Sequence, residues 1–409
     1  MSTETLSPLS ELPEKKERQA HPFRTLKELL DHASGRDLPP ITLENSGRAE
    51  TLPFPFLAIV GQQEMKLALI LGLVNPNIGG ILLVGPRGTA KTTAVRSLVD
   101  LLPQVERSSC HYGCLPEDIE TGGIDAVCPD CAKKYGSGES LTISDRVRLV
   151  ELPLNAELEN VIGGIDERAA LHQKMRLRRG ILAQADRNLL YIDEVNLLND
   201  NVIDAILDAA AQGSYTLRRG PVSATYRSRF LLIGSMNPEE GNLRPQIMDR
   251  FGLRVVVRGL DDAKERLEAY RRVQAYLENP RQIIGTYVGE MAAVKEELEE
   301  SRKRLRQVRI SNKVAKEAIA LIQQLGIDSL RAEITWLETA RAFAAASGRT
   351  IVKLSDLHTV APMALRLRRS KFIDKYFDDQ QGEEEELETL LKPFARKKRT
   401  PRSKQKKEN

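Results

Sequence analysis

The chain has 409 residues, 41% of them hydrophobic, and at roughly 150 residues per domain this allows two or three domains with ample core, excluding a mini-protein or a disordered chain. Its 61 Lys and Arg face 57 Asp and Glu, but residues 396–409 hold eight of the bases and one acid; the remaining body is slightly acidic, and with 5% aromatics it offers little to a nucleic acid. No run approaches the ~20 apolar residues of a membrane span, and residues 1–20 lack the apolar stretch of a secretory leader, so a cytoplasmic protein is expected.

In chain order, residues 1–50 are rich in Pro, Glu, Lys and Ser and read as a mostly mobile arm, with a short helix at 26–32. Order begins at Phe54-Pro55-Phe56. Met65, Leu69 and Leu73 then give 62–73 a helical spacing, and Ile81-Leu82-Leu83-Val84 reads as a buried strand before a glycine loop and a helix reaching residue 101. Apolar runs at 147–152, 189–192, 230–234 and 254–257 alternate with helical segments such as 202–211, the pattern of an α/β fold with a parallel sheet covered on both faces. Residues 215–226 alternate around Arg219-Gly220-Pro221 and predict an inserted β-hairpin. Beyond 260 the chain turns to helix formers with dense charge. Residues 261–310 read as a charged helical linker and 311–375 as an all-helical block, with Leu330, Ile334, Leu337, Ala340 and Ala344 as its core-facing row; 376–409 is expected to be a disordered tail.

The chemistry is concentrated at Gly85-Pro86-Arg87-Gly88-Thr89-Ala90-Lys91-Thr92, set between a buried strand and a helix. In such a phosphate loop the backbone N–H groups cradle an anion, Lys91 reaches the β- and γ-oxygens of a nucleoside triphosphate, and Thr92 holds Mg²⁺. Ala90 departs from the G-x-x-x-x-G-K-[ST] pattern, and its Cβ disfavours a positive φ there. The apolar run 189–192 ends in Asp193 and Glu194: Asp193 is placed to bind Mg²⁺ through water or directly, and Glu194 to polarise the attacking water. Asn237, just past another apolar run, is placed to orient the same water; an ordinary turn Asn is the competing reading.

All four cysteines fall between the loop's helix and the next core strand, as Cys110, Cys114, Cys128 and Cys131 with C-x3-C-x13-C-x2-C spacing. Two close pairs can complete a tetrahedral S₄ shell, and a structural Zn²⁺ is the leading occupant, with His111 as a substitute ligand. A redox-sensing dithiol pair, an iron–sulfur cluster, or no metal remain open. His21, His32, His172 and His358 form no ligand set by spacing.

These motifs, with the stretches Phe56-Leu57-Ala58-Ile59-Val60-Gly61-Gln62, Tyr191-Ile192-Asp193-Glu194-Val195-Asn196-Leu197-Leu198 and Asn237-Pro238-Glu239-Glu240-Gly241-Asn242-Leu243-Arg244-Pro245-Gln246-Ile247-Met248-Asp249-Arg250-Phe251-Gly252, resemble the AAA+ ATPases. Within them the resemblance is closest to the I subunit of magnesium chelatase and the related small ATPase subunits of cobalt chelatases. It covers about 54–369, leaving out the two tails and the cysteine insertion at about 104–146. It implies an ATPase core at 51–260 with a five-stranded sheet of order 5-1-4-3-2, a helical lid, and assembly into a homo-oligomeric ring, expected to be hexameric, with nucleotides between neighbours.

By the same resemblance Arg250 is the arginine finger reaching a neighbour's γ-phosphate and Arg331 the sensor arginine touching nucleotide in its own subunit. An ion pair of Arg250 with Asp249 or another acid, and of Arg331 with Glu333, are the structural alternatives. The hairpin resembles a pre-sensor insertion and 161–180 a helix-2 insertion. The partners implied are an integrin-like adaptor subunit and a large porphyrin-binding subunit, the ring driving insertion of a divalent metal, Mg²⁺ first. A chaperone-like AAA+ remodeller working with a von Willebrand A-domain protein is the alternative function, and a scaffold that never turns over nucleotide is a third.

Overall fold

The computed structural model describes residues 52–102, 104–110, 113–165, 177–220, 222–241 and 243–368. The arm at 1–50, the tail at 376–409, and His21, His32, His111 and His172 lie outside them. Among the described residues the strands are β1 (Gly80–Val84), β2 (Gln104–Ser108), β3 (Thr142–Arg146), β4 (Leu149–Leu152), β5 (Gly163–Ile165), β6 (Leu177–Arg179), β7 (Leu189–Ile192), β8 (Ser214–Arg219), β9 (Val222–Arg227), β10 (Leu231–Met236) and β11 (Phe251–Val256).

Five of them form one parallel sheet, ordered β11-β1-β10-β7-β4; numbered among themselves in chain order, that is 5-1-4-3-2. β1 is buried along its whole length, with Ile81 opposite Ile233 on one side and Leu253 on the other, which is why its sequence is a continuous apolar run. Alternation along β1 divides the core. Ile81 and Leu83 pack with Leu69 and Leu73 of the helix Gln63–Val74, while Leu82 and Val84 join Ile203 and Ile206 of the helix Asp200–Gln212. Each such buried aliphatic side chain contributes about 1.5–3 kcal/mol.

Three two-stranded ribbons leave this sheet: β2 with β3, β5 with β6, and the predicted hairpin β8 with β9, which turns at Gly220 with φ +55°. Most of the insertion between β5 and β6, residues 166–176, lies outside the described residues.

Residues 261–310 are mainly helical, as the charge-dense sequence suggests. They form the helices Ala263–Glu278 and Pro280–Leu305, and the second buries Leu298 and Ser301 against the core layer that holds Gln63–Val74. The helices Asn312–Gln324, Leu330–Ala346 and Leu354–Leu365 complete the block, tied by Trp336 Nε1 donating to Leu357 O at 2.8 Å. The expected core row is corrected in part: Leu330 and Ile334 are 71% and 59% exposed. The buried seam steps back by four from Ala344 through Ala340 and Trp336 to Ala332, flanked by buried Thr335, Thr339, Ala342 and Ala345, because Leu330–Ala346 is gripped between Gln63–Val74, Pro280–Leu305 and Leu354–Leu365.

Candidate functional site

The strand β1 delivers the chain to a loop that only particular residues can make. Gly85 N–H donates to Met236 O at 3.0 Å, and a Cβ on Gly85 would lie 2.1 Å from Val257 O, so the close pairing of β1 with its neighbours requires glycine. Gly88 has φ +77° and Ala90 φ +64°, the latter as N-cap of the helix Lys91–Ser97. The reluctance expected of Ala90 is thus overridden: the turn from strand to helix demands a left-handed residue there, at a cost of roughly 1–2 kcal/mol for a residue with a Cβ. Lys91 is buried, its Nζ donating to Gly85 O and Pro86 O at 2.7 Å each. Burial lowers its pKa, while the charges of Asp193, Glu194 and Glu240 push the other way. Thr89 Oγ1 donates to Pro86 O at 2.9 Å, so the loop is braced from within.

β7 brings Asp193 and Glu194 to the same end of the sheet. Thr92 Oγ1 lies 3.4 Å from Asp193 Oδ2, two hard oxygen donors side by side that suit a Mg²⁺ ion. The other carboxylate oxygen is held by Tyr191 OH at 2.9 Å and by Ser235 Oγ, and burial keeps the Tyr191 phenol a donor by raising its pKa. Ser235 also accepts from Glu194 N at 3.1 Å. Glu194 itself has φ +53°, a conformation costly for a non-glycine residue, and its side chain meets Arg87 at 3.2 Å. Arg87 pairs as well with Glu240.

Sequence reasoning singled out Asp193 and Glu194 but missed Tyr191, Ser235 and Glu240. Tyr191 and Ser235 stand on adjacent parallel strands near their carboxyl ends, a juxtaposition that only the sheet order supplies. Asn237 sits at the expected end of β10 and is buried, but its Oδ1 accepts from Glu239 N at 3.3 Å, so its carbonyl oxygen caps the following turn. Beside the loop opens a mainly apolar cleft of about 530 Å³, lined by Ile59, Val60, Ala90, Tyr270, Tyr276 and Leu277, large enough for a nucleotide base and sugar.

Arg250 and Arg331 lie elsewhere. Both line a cleft with Gly79, Gly80 and Gly252, at the amino-terminal end of β1 and β11, whereas the phosphate loop follows the carboxyl end of β1. Five strand residues separate the two ends, about 16 Å. Arg250 pairs with Asp208 at 2.7 Å and Asp204 at 3.6 Å, and Arg331 lies 3.9 Å from Asp249 rather than beside Glu333. The expectation that Arg331 touches nucleotide in its own subunit therefore does not fit. The lid helices pack behind the sheet, against Gln63–Val74 and β11, and carry Arg331 away from its own loop. Asp249 is the hub here: it accepts from Arg368 at 2.9 Å, from Ser329 at 3.1 Å and from the buried Arg254 at 3.4 Å.

The four cysteines converge. Their sulfur atoms all lie within 4.8 Å of one another, none is in a disulfide, and Cys114 and Cys131 are buried, so the set could hold one soft or borderline metal ion.

A phosphate loop, a strand ending in Asp-Glu and a helical block behind the sheet agree with the comparisons. Residues 162–261 match the family described as magnesium chelatase, subunit ChlI, and 315–390 match the AAA lid domain. A magnesium-chelatase subunit ChlI homolog of Methanocaldococcus jannaschii is 44% identical over 345 residues, 83% of this chain and 91% of that protein. The chain belongs to the magnesium-chelatase ChlI family. Another member, the magnesium-chelatase 38 kDa subunit of Acidiphilium rubrum, is 42% identical over 77% of this chain and 90% of its own. The crystal structure of a putative ATPase from Cytophaga hutchinsonii shares the fold at 21% identity, with a TM-score of 0.50 over 76% of this chain and 84% of its own. Family membership makes this an AAA+ ATPase subunit, for which ATP and Mg²⁺ are the implied ligands. Among the described residues no helix is long and apolar enough to cross a membrane.

Proposed function

We propose that the chain is the ATP-hydrolysing motor subunit of a metal chelatase, working as a homo-oligomeric ring to drive insertion of a divalent metal, Mg²⁺ first, into a porphyrin held by a partner subunit. The observation that carries this reading is the convergence of Lys91, Thr92, Asp193 and Glu194 at one end of the sheet, in a chain 44% identical to a chelatase subunit homolog. The relatives compared carry chelatase names, so the remodelling alternative is not favoured.

The loop's N–H groups and Lys91 bind and orient the triphosphate, and the apolar cleft beside Ala90 takes the base. Thr92 and Asp193 would hold a Mg²⁺ ion, which supplies charge neutralisation on the phosphate oxygens. Glu194 accepts the proton of the attacking water, and its strained backbone, fixed by Ser235, aims the carboxylate at the loop mouth. Arg87, exposed and paired to Glu194 and Glu240, exchanges these partners for phosphate oxygens when nucleotide enters.

Arg250 lies at the far end of the sheet from its own loop, with its charge partly offset by Asp208, and serves a neighbour's γ-phosphate as arginine finger. Arg331, in the same cleft, acts with it on the neighbour's nucleotide. Zinc enters this reading only as a structural ion in the four-cysteine module. The partners are the adaptor and porphyrin-binding subunits that the family resemblance implies.

The test pairs three variants. Glu194→Gln should bind ATP normally and lose about 10²–10⁴-fold in turnover, Lys91→Ala should lose binding, and Arg250→Ala mixed with Glu194→Gln should recover part of the activity. Full turnover by Glu194→Gln, or no recovery on mixing, refutes the assigned roles. ATP-dependent metal insertion into a porphyrin, reconstituted with adaptor and large subunits, tests the chelatase step, and its absence with both Mg²⁺ and Co²⁺ refutes it.

A further inference from the structure

The cysteine module stands on β2 and β3 and reaches toward the hairpin β8–β9 with its own helices, Pro116–Gly122 and Pro129–Gly136. Among the described residues its interior is thin: Leu141 packs fully buried with the sulfurs, Ile119 and Val127 are half-buried beside it, and Leu115 is buried next to Cys114. A segment with so little apolar core needs a staple. Cys110 Sγ lies 3.7 Å from Cys114 Sγ and 3.4 Å from Cys128 Sγ. A tetrahedral ion with Zn–S bonds of about 2.3 Å sets its sulfurs about 3.8 Å apart, so small shifts close the cluster on one ion. The backbone is already arranged for it. Cys128 N–H donates to Cys114 Sγ at 3.3 Å, and Ser108 Oγ donates to Cys114 O while accepting from Cys110 N.

From that cluster the module grips the hairpin. Asp118, in the first turn of Pro116–Gly122 and bonded to Leu115 N at 2.8 Å, pairs with Arg227, the last residue of β9. Glu117 meets Arg187 at 3.5 Å; Arg187 also donates to Glu106 O of β2, and its N–H donates to Arg229 O at 2.7 Å. Asn188 fastens the same corner, accepting from Arg107 at 2.9 Å and from Arg148 N at 2.8 Å. Above this foot the module and hairpin are parted by a cavity of about 800 Å³, so the module reaches the hairpin through charge pairs at its base, while Leu217 and Tyr226 pack the hairpin itself against Leu177 and Ala183. These contacts cluster where β7 and β10 begin, at the opposite end of the sheet from the phosphate loop.

We infer that Cys110, Cys114, Cys128 and Cys131 bind one Zn²⁺, releasing their protons to solvent, and that the metal-closed module clamps the foot of the β8–β9 hairpin through Asp118 and Arg227. The clamp rests on the zinc reading stated above, and loss of the ion loosens the foot of the hairpin without touching the ATP site.

The experiment uses the full chain purified under reducing conditions. Elemental analysis should find one zinc per chain. Amide hydrogen exchange across 214–227 should rise by about tenfold or more when a chelator strips the metal, and return to its starting rate when Zn²⁺ alone is added back. Because cysteine variants can fail to fold, Arg227→Gln is the second arm: it should keep its zinc, bind ATP with unchanged affinity, and show fast exchange in 214–227 without any chelator. Absence of stoichiometric zinc overturns the metal reading. Zinc present, with exchange in 214–227 indifferent both to its removal and to Arg227→Gln, overturns the clamp alone.

Discussion

Asp249→Asn removes one negative charge from a point where two buried guanidiniums meet. Arg254 and Arg368 both donate to Asp249, at 3.4 and 2.9 Å, and the side chains of both are almost fully buried. Burial and the neighbouring Arg368 already push Arg254 down to about 10, with Asp249 opposing them. Breaking a buried pair costs about 3–5 kcal/mol when a charge is left stranded. Here the cost is smaller. Asp249 is one-third exposed, Arg368 keeps Gly252 O at 2.8 Å and Ala364 O at 2.7 Å, and Arg254 keeps Leu367 O. A loss of about 2 kcal/mol follows, borne where Asp249 ties the lid to β11, through Ser329 ahead of Leu330–Ala346 and Arg368 beyond Leu354–Leu365. In amide exchange that is about 30-fold faster opening at the first turn of the former helix and the last turn of the latter. A change under about threefold at both ends would show that Asp249 is an ordinary surface acid and that the lid is seated by apolar packing alone.

Gly85→Ala places a methyl group against Val257 O and should abolish binding of a fluorescent ATP analogue while leaving the circular dichroism spectrum intact; retained affinity would mean the loop can yield there. Ser235→Ala strips Asp193 of a donor and leaves Glu194 N without its acceptor, at about 1–3 kcal/mol, so kcat should fall about tenfold or more with ATP affinity little changed, as steady-state kinetics and a binding titration would separate. Asp356 is buried, which by itself raises its pKa, but two hydrogen bonds from Arg349 at 2.7 Å and one from Lys353 N hold it below the usual carboxylate value of 3.8. Its folded pKa being depressed, its contribution is present above that value and lost as pH falls through the folded pKa. Asp356→Asn should therefore cost about 1.5–3 kcal/mol in urea unfolding at pH 7 and converge with the parent chain once the pH has fallen below the folded pKa of Asp356; a pH-independent difference refutes the charge argument.

Much of the site was legible because its parts are local. A phosphate loop is eight consecutive residues, Asp193 and Glu194 are adjacent, and the cysteine pairs are separated by three residues and by two, so their spacing already limits where the side chains can go. The continuous burial of β1 and the turn at Gly220 follow from apolar runs and glycine in the same way. The core row of Leu330–Ala346 was harder, since several rows of that helix carry apolar residues and only the neighbours it meets decide which one is buried.

What the amino-acid order determined by itself is thus the chemistry available: which groups can cradle phosphate, hold a hard cation or activate water, and which four sulfurs can share an ion. Tertiary packing decided the addresses. It laid β10 beside β7 so that Ser235 could brace Asp193, and it set the helical block behind the sheet so that Arg331 joined Arg250 about one strand-length from its own loop. The physical reason is that contacts between residues tens to hundreds apart are fixed by which apolar faces bury one another, and many sequences of charge and polarity are compatible with each local motif before that burial selects one arrangement.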